Sequence, residues 1–146
     1  MVETITLFGN EKVYFIHGVM MWASWGWCGF IIFLSNRWWS YKSDWVQAPH
    51  SLAALVVFWM TIGSFIHMVS ATGFDLGDFH QIIGFIMLFL VTMSQVGGVV
   101  TYRSKQSLTW NTAKAIENKK YHGTTGTVTL ILSVIVISSG LFKFTS

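Results

Sequence analysis

Residues 79–102 read FHQIIGFIMLFLVTMSQVGGVVTY, an unbroken run with no Lys, Arg, Asp or Glu. Hydrocarbon is about 30 Å thick and a helix rises about 1.5 Å per residue, so roughly 20 apolar residues cross a bilayer once. This stretch is long enough to do so. Working outward, the stretches 13–34, 50–71 and 121–142 share its character and likewise hold no charged residue. The chain has 146 residues, 53% hydrophobic and 10% charged, with mean hydropathy +0.55. That balance lies outside the range of soluble domains and inside that of membrane proteins. The expected fold is therefore all-α: a single integral membrane domain over 1–146, built as a four-helix up-down-up-down bundle. Outside the four stretches there are short tails, two modest connections and one longer loop, so chemistry belongs to the bundle or its rims.

Several function classes fall away at once. The single cysteine, Cys28, lies inside the first stretch, so neither a disulfide framework nor a C-x-x-C-H haem attachment site exists. Residues 1–10 carry no basic segment, and no cleavable signal peptide is expected. Gly97-Gly98 sits in a spanning stretch and reads as a packing contact, not a phosphate loop. No nucleic-acid, nucleotide or hydrolytic motif is present.

The pI of about 9.2 reflects the loops. An odd number of crossings separates a terminal side, with both chain ends and the loop around Asp75 and Asp78, from a loop side. The loop side holds Arg37, Lys42, Arg103, Lys105, Lys114, Lys119 and Lys120, whereas the terminal side holds Lys12 and Lys143 against Glu3, Glu11, Asp75 and Asp78. Short loops rich in Lys and Arg stay on the side of insertion. The loop side is expected to face cytoplasm or mitochondrial matrix, with both termini opposite. Trp38, Trp39, Trp45 and Trp110 cluster at that boundary, as rings seated at headgroups do. Pro49 suits the first turn of the second helix, where its missing N–H has no intrahelical partner to lose.

The histidines carry the specific signal. Four of the five, His17, His50, His80 and His122, fall within the first few residues of the four successive stretches. Alternate helices of such a bundle start from opposite faces, so His17 and His80 lie near the terminal side and His50 and His122 near the loop side. Two imidazoles per face suit the clamping of one haem iron at each face, bridging the first helix to the third and the second to the fourth. Small residues flank the rings where a flat macrocycle needs room: Gly84 four residues after His80, Gly126 four after His122, Ala54 four after His50, and Gly18 beside His17. The competing reading is that these are amphipathic residues at an interface and small residues at helix contacts; ionisable groups inside spans are more often functional.

The fifth, His67, lies on the terminal side with Gly63 one turn inward. Seventeen residues separate it from His50, about 260° beyond whole turns, so the two do not share a helix face. It reads either as a replacement ligand, as a hydrogen-bond donor to a haem propionate, or as packing. Arg103, Lys119 and Lys120 on the loop side, with Lys12 opposite, are candidate propionate partners as well as orientation charges. Trp59, Phe89 and Met93, between the two histidine depths, read as core packing. The two depths are on the order of 20–25 Å apart, from about 15 residues of rise.

With its histidines so placed, the chain resembles the transmembrane core of the cytochrome b561 family, in the version often attached to an extracellular DOMON domain. The resemblance rests on His17-Gly18-Val19-Met20-Met21 with Trp25-Gly26, on Trp45 ahead of His50, on His80-Gln81-Ile82-Ile83-Gly84 with Gln95, and on His122-Gly123-Thr124-Thr125-Gly126. It implies two non-covalent haems b, with His17/His80 and His50/His122 as axial metal-ligand pairs. It further implies one-electron transfer across a membrane, between ascorbate or another small reductant and monodehydroascorbate or a ferric chelate. Two alternatives stay open: a haem-bearing subunit of a larger respiratory or redox complex, exchanging electrons with a protein or quinone, and a haem-less structural subunit. Membrane lipid is the expected surrounding, with other subunits or a second copy as protein partners.

Overall fold

A computed structural model of the chain describes residues 2–35, 47–106 and 112–145. Among the described residues the fold is helical apart from the 73–78 connection, in four rods. The first, α1, covers 2–34: regular helix over Val2–Met21, a π-helical segment over Trp22–Cys28, and regular helix again over Gly29–Leu34. The others are α2 (Gln47–Thr72), α3 (Phe79–Gln106) and α4 (Thr112–Thr145). Each contains a segment long and apolar enough to span a membrane: Glu11–Leu34, Ala48–Thr72, Phe79–Ser104 and Ile116–Phe142. The protein is a multi-pass, four-helix membrane protein.

The helices outrun the expected bounds, most of all at two starts. Helix α1 begins at Val2 where hydropathy placed 13, and α4 begins at Thr112 where it placed 121. The longer loop is thus in large part helix. Hydropathy marks where lipid begins, whereas backbone hydrogen bonding continues into water wherever the residues permit; Ala113-Lys114 and Glu117 are good helix formers. In consequence His17 and His122 lie well inside their helices, while His50 and His80 lie in first turns. Pro49 is the third residue of α2, as its lack of an N–H favours. The tryptophans at 38, 39, 45 and 110, and Arg37 and Lys42, fall outside the described residues.

The α2–α3 connection is tied down on the terminal side. Gly73 ends α2 with φ +77°, a left-handed conformation that glycine adopts without strain, and its N–H reaches the Val69 carbonyl at 2.9 Å. Asp75 Oδ1 accepts from the Gly77 N–H at 2.8 Å, and Gln81 Oε1 accepts from the Asp75 N–H at 2.8 Å. Asp78 then caps α3, its Oδ1 accepting from the His80 N–H at 2.9 Å. His80 is thereby fixed to a rigid start.

Inside the bundle the buried residues are small or hydroxylic as often as they are apolar. Ser24, Ser35, Thr61, Ser64, Thr129 and Ser133 are buried beside Trp25, Ala53, Val57, Met87, Val91 and Val136. Small residues let membrane helices approach closely; Thr129 donates to the Thr125 carbonyl at 2.7 Å and Ser133 to the Leu130 carbonyl at 2.6 Å, whereas the buried Ser24 Oγ has no hydrogen-bond partner among the described residues. The central apolar cluster takes Trp25 from α1, Val57 from α2, Met87 and Val91 from α3, and Val136 from α4. Trp25 is 8% exposed and donates through Nε1 to Thr61 Oγ1 at 3.2 Å. The π-helical segment, closed by the Gly29 N–H on the Ser24 carbonyl, contains both Ser24 and Trp25. Trp59, Phe89 and Met93, expected in the core, face outward instead, at 64%, 62% and 49% exposure. A lipid-facing side chain is as apolar as a buried one, so hydropathy does not separate the two.

Candidate functional site

The four histidines meet in two pairs at two depths. His17 of α1 and His80 of α3 have ring centroids 6.0 Å apart with planes at 81°. His50 of α2 and His122 of α4 stand 6.2 Å apart at 79°. First helix meets third, and second meets fourth. In each pair one ring comes from the α1–α2 hairpin and the other from the α3–α4 hairpin.

Each ring also has a hydrogen bond on Nδ1, and every one of these stays within its own hairpin. His17 Nδ1 lies 2.6 Å from Ser64 Oγ of α2, and His50 Nδ1 lies 3.0 Å from Ser35 Oγ at the end of α1. In the second hairpin His80 Nδ1 lies 3.0 Å from Ser139 Oγ of α4, and His122 Nδ1 lies 3.1 Å from the Ser94 carbonyl of α3. The pattern is reciprocal: each helix bears one imidazole at one depth and the partner of its neighbour's imidazole at the other. The intervals, His17 to Ser35, His50 to Ser64, His80 to Ser94 and His122 to Ser139, are 18, 14, 14 and 17 residues. At about 1.5 Å per regular helical residue these set the depths some 21–27 Å apart.

Glycines make the bed for two rings. A Cβ on Gly140 would sit 3.0 Å from His80 Cε1, and one on Gly98 would sit 3.2 Å from His122 Cε1, with Gly97 alongside at 3.6 Å from Nδ1. Gly97-Gly98 is thus a packing contact, and its partner is an imidazole. Of the small residues expected beside the rings, Gly84 borders open space, with nothing within 4 Å of where a Cβ would point, and so does Gly18. Gly126 faces Ser94 Oγ at 3.9 Å. The Ala54 carbonyl is taken by Gln95 Nε2 at 2.8 Å, tying α2 to α3.

His67 stays outside both pairs. It lies on α2 one turn past Ser64, and its Nε2 is buried with no hydrogen-bond partner. Arg103 and Lys120 are exposed, at the loop-side ends of α3 and α4. Among the described residues no three of His, Cys, Asp or Glu converge; each candidate site offers two protein donors, both imidazole nitrogens. Comparison with protein families, with curated proteins and with solved structures finds no match.

Proposed function

We propose that this protein carries single electrons across a membrane between two non-covalent haems b, held by His17 with His80 near one face and by His50 with His122 near the other. The observation that carries this reading is the ring spacing. With metal–nitrogen bonds of about 2 Å and each ring nitrogen about 1.1 Å from its centroid, two imidazoles on opposite sides of one ion stand roughly 6 Å apart, centroid to centroid. The two pairs stand at 6.0 and 6.2 Å. Two donors do not chelate a bare ion, which takes about four, but they complete an iron whose other ligands come from a porphyrin.

The surroundings fit such a group. Gly84 leaves open space one turn from His80, and the unsatisfied Nε2 of His67 on the same side is a polar atom awaiting a partner such as a propionate. On the loop side the exposed Arg103 and Lys120 are the cationic candidates for that role. The resemblance of the histidine segments to the cytochrome b561 core agrees in both ligand pairs.

A haem held by the two imidazoles of each pair would supply one-electron chemistry. The chain's own residues do the rest. Gly140 and the Gly97-Gly98 pair set the pitch of His80 and His122, and the cluster of Trp25, Val57 and Met87 keeps the space between the depths packed. The cation-rich side faces cytoplasm or matrix and both described helix termini, at Val2 and Thr145, face away. Reductant and oxidant meet opposite faces, as a small molecule such as ascorbate or a ferric chelate, or as a quinone or protein within a larger redox assembly.

Purified protein is expected to give two b haems per chain by pyridine haemochrome, with a reduced-minus-oxidised difference spectrum of low-spin type. His122→Ala is expected to leave one. Protein expressed with ample haem that binds none overturns the reading, and rapid anaerobic reduction by ascorbate selects a small-molecule donor.

A further inference from the structure

The partners of three of the four rings, those of His50, His80 and His122, have their own protons accounted for, and this locates the protons of those rings. Ser35 Oγ gives its single proton to the Ile32 carbonyl at 2.9 Å, so towards His50 Nδ1 it accepts. Ser139 Oγ likewise donates to the Val136 carbonyl at 2.8 Å, and so accepts from His80 Nδ1. The partner of His122 is the Ser94 carbonyl, which has no proton to give. A hydroxyl donates once and a carbonyl never. Three Nδ1 atoms therefore carry the proton, and in the neutral ring Nε2 keeps its lone pair. Ser64, fully buried, holds His17 through the same ring atom.

We propose that Ser35, Ser64 and Ser139, with the Ser94 carbonyl, are positioning groups that set all four imidazoles as Nδ1–H tautomers and so present Nε2 as the ligand nitrogen. This rests on the haem reading for its purpose, though not for its geometry. A metal-bound imidazole needs its other nitrogen protonated and held, and an acceptor there fixes ring orientation and strengthens the ligand. Hydroxyls that merely quenched buried polar rings would serve with either tautomer and either nitrogen. Here all four rings use the same nitrogen, and every assignable bond runs the same way.

The test uses the full chain. Ser139→Ala is expected to weaken haem retention at the His17–His80 site by about 10- to 100-fold, to raise the midpoint potential of that haem alone, and to be rescued by Ser139→Thr. Ser35→Ala is expected to do the same at the His50–His122 site alone. Ser133→Ala, whose hydroxyl bonds the Leu130 carbonyl, should move neither. Alanine variants that leave both sites unchanged, or disturb both equally, overturn the proposal. Should the variants not fold, ¹⁵N-histidine spectra of the haem-free wild type decide: Nδ1–H rings are expected, and Nε2–H rings at His50, His80 and His122 overturn it. A wild type that takes up no haem sinks the functional reading, while those spectra still decide where the protons lie.

Discussion

The two ring pairs are built alike in spacing and differently in support. At the loop-side pair His50 rests on a serine hydroxyl and His122 on a backbone carbonyl, with the α3 glycines 97 and 98 against the latter ring. At the terminal-side pair both rings rest on serine hydroxyls, a single glycine, Gly140, meets His80, and a third imidazole, His67, waits one turn away with an unsatisfied nitrogen. The separation of the rings is held constant while the means vary. The ring separation is common to both pairs, whereas the Nδ1 partner is a serine hydroxyl at three rings and a backbone carbonyl at the fourth.

The largest effects expected from breaking this comparison come from the glycine beds. Gly140→Val places methyls where a Cβ alone already comes to 3.0 Å from His80 Cε1; it is expected to empty the terminal-side site and leave the loop-side haem in place, read by haem count. Gly98→Val is expected to do the converse through His122. A variant that empties both sites makes the bundle, not the ring bed, the sensitive element. Next in size is the element common to both. Trp25→Ala removes the central buried aromatic and is expected to cost about 3–5 kcal/mol, lowering the melting temperature with both haems lost together. Trp25→Phe keeps the bulk but drops the bond to Thr61, at about 1 kcal/mol. The smallest belongs to one side only. Gly73→Ala puts a side chain at φ +77° and is expected to cost about 1–2 kcal/mol, with the loss of haem on heating beginning at the His17–His80 site, whose His80 stands just beyond that turn.

Much of this was legible in residues taken singly. Four uncharged stretches declare four crossings, and the placement of His17, His50, His80 and His122 declares two depths and the pairing of alternate helices. What hydropathy could not supply was lateral. Nothing apolar distinguishes Trp59, which faces out, from Val57, which faces in, because lipid and core solvate side chains alike. The acceptors were missed because serine inside an apolar span is ordinary. One signal was nonetheless present: His50 to Ser64 and His80 to Ser94 repeat an interval of 14 residues, which brings both members to nearly one helix face. The glycine beds had no such signal, since Gly140 and His80 are neighbours only through packing.

The reciprocity of the serine bonds has a consequence for biogenesis. Each Nδ1 partner lies in the same hairpin as the ring it holds, so on the proposed reading a nascent chain with only its first two crossings in the bilayer would already have two imidazoles aimed. The second pair of crossings then arrives as a matching half-socket, bringing one ring to each depth. On that reading, maturation would be the closing of two finished halves, with no ring left to be turned after they meet.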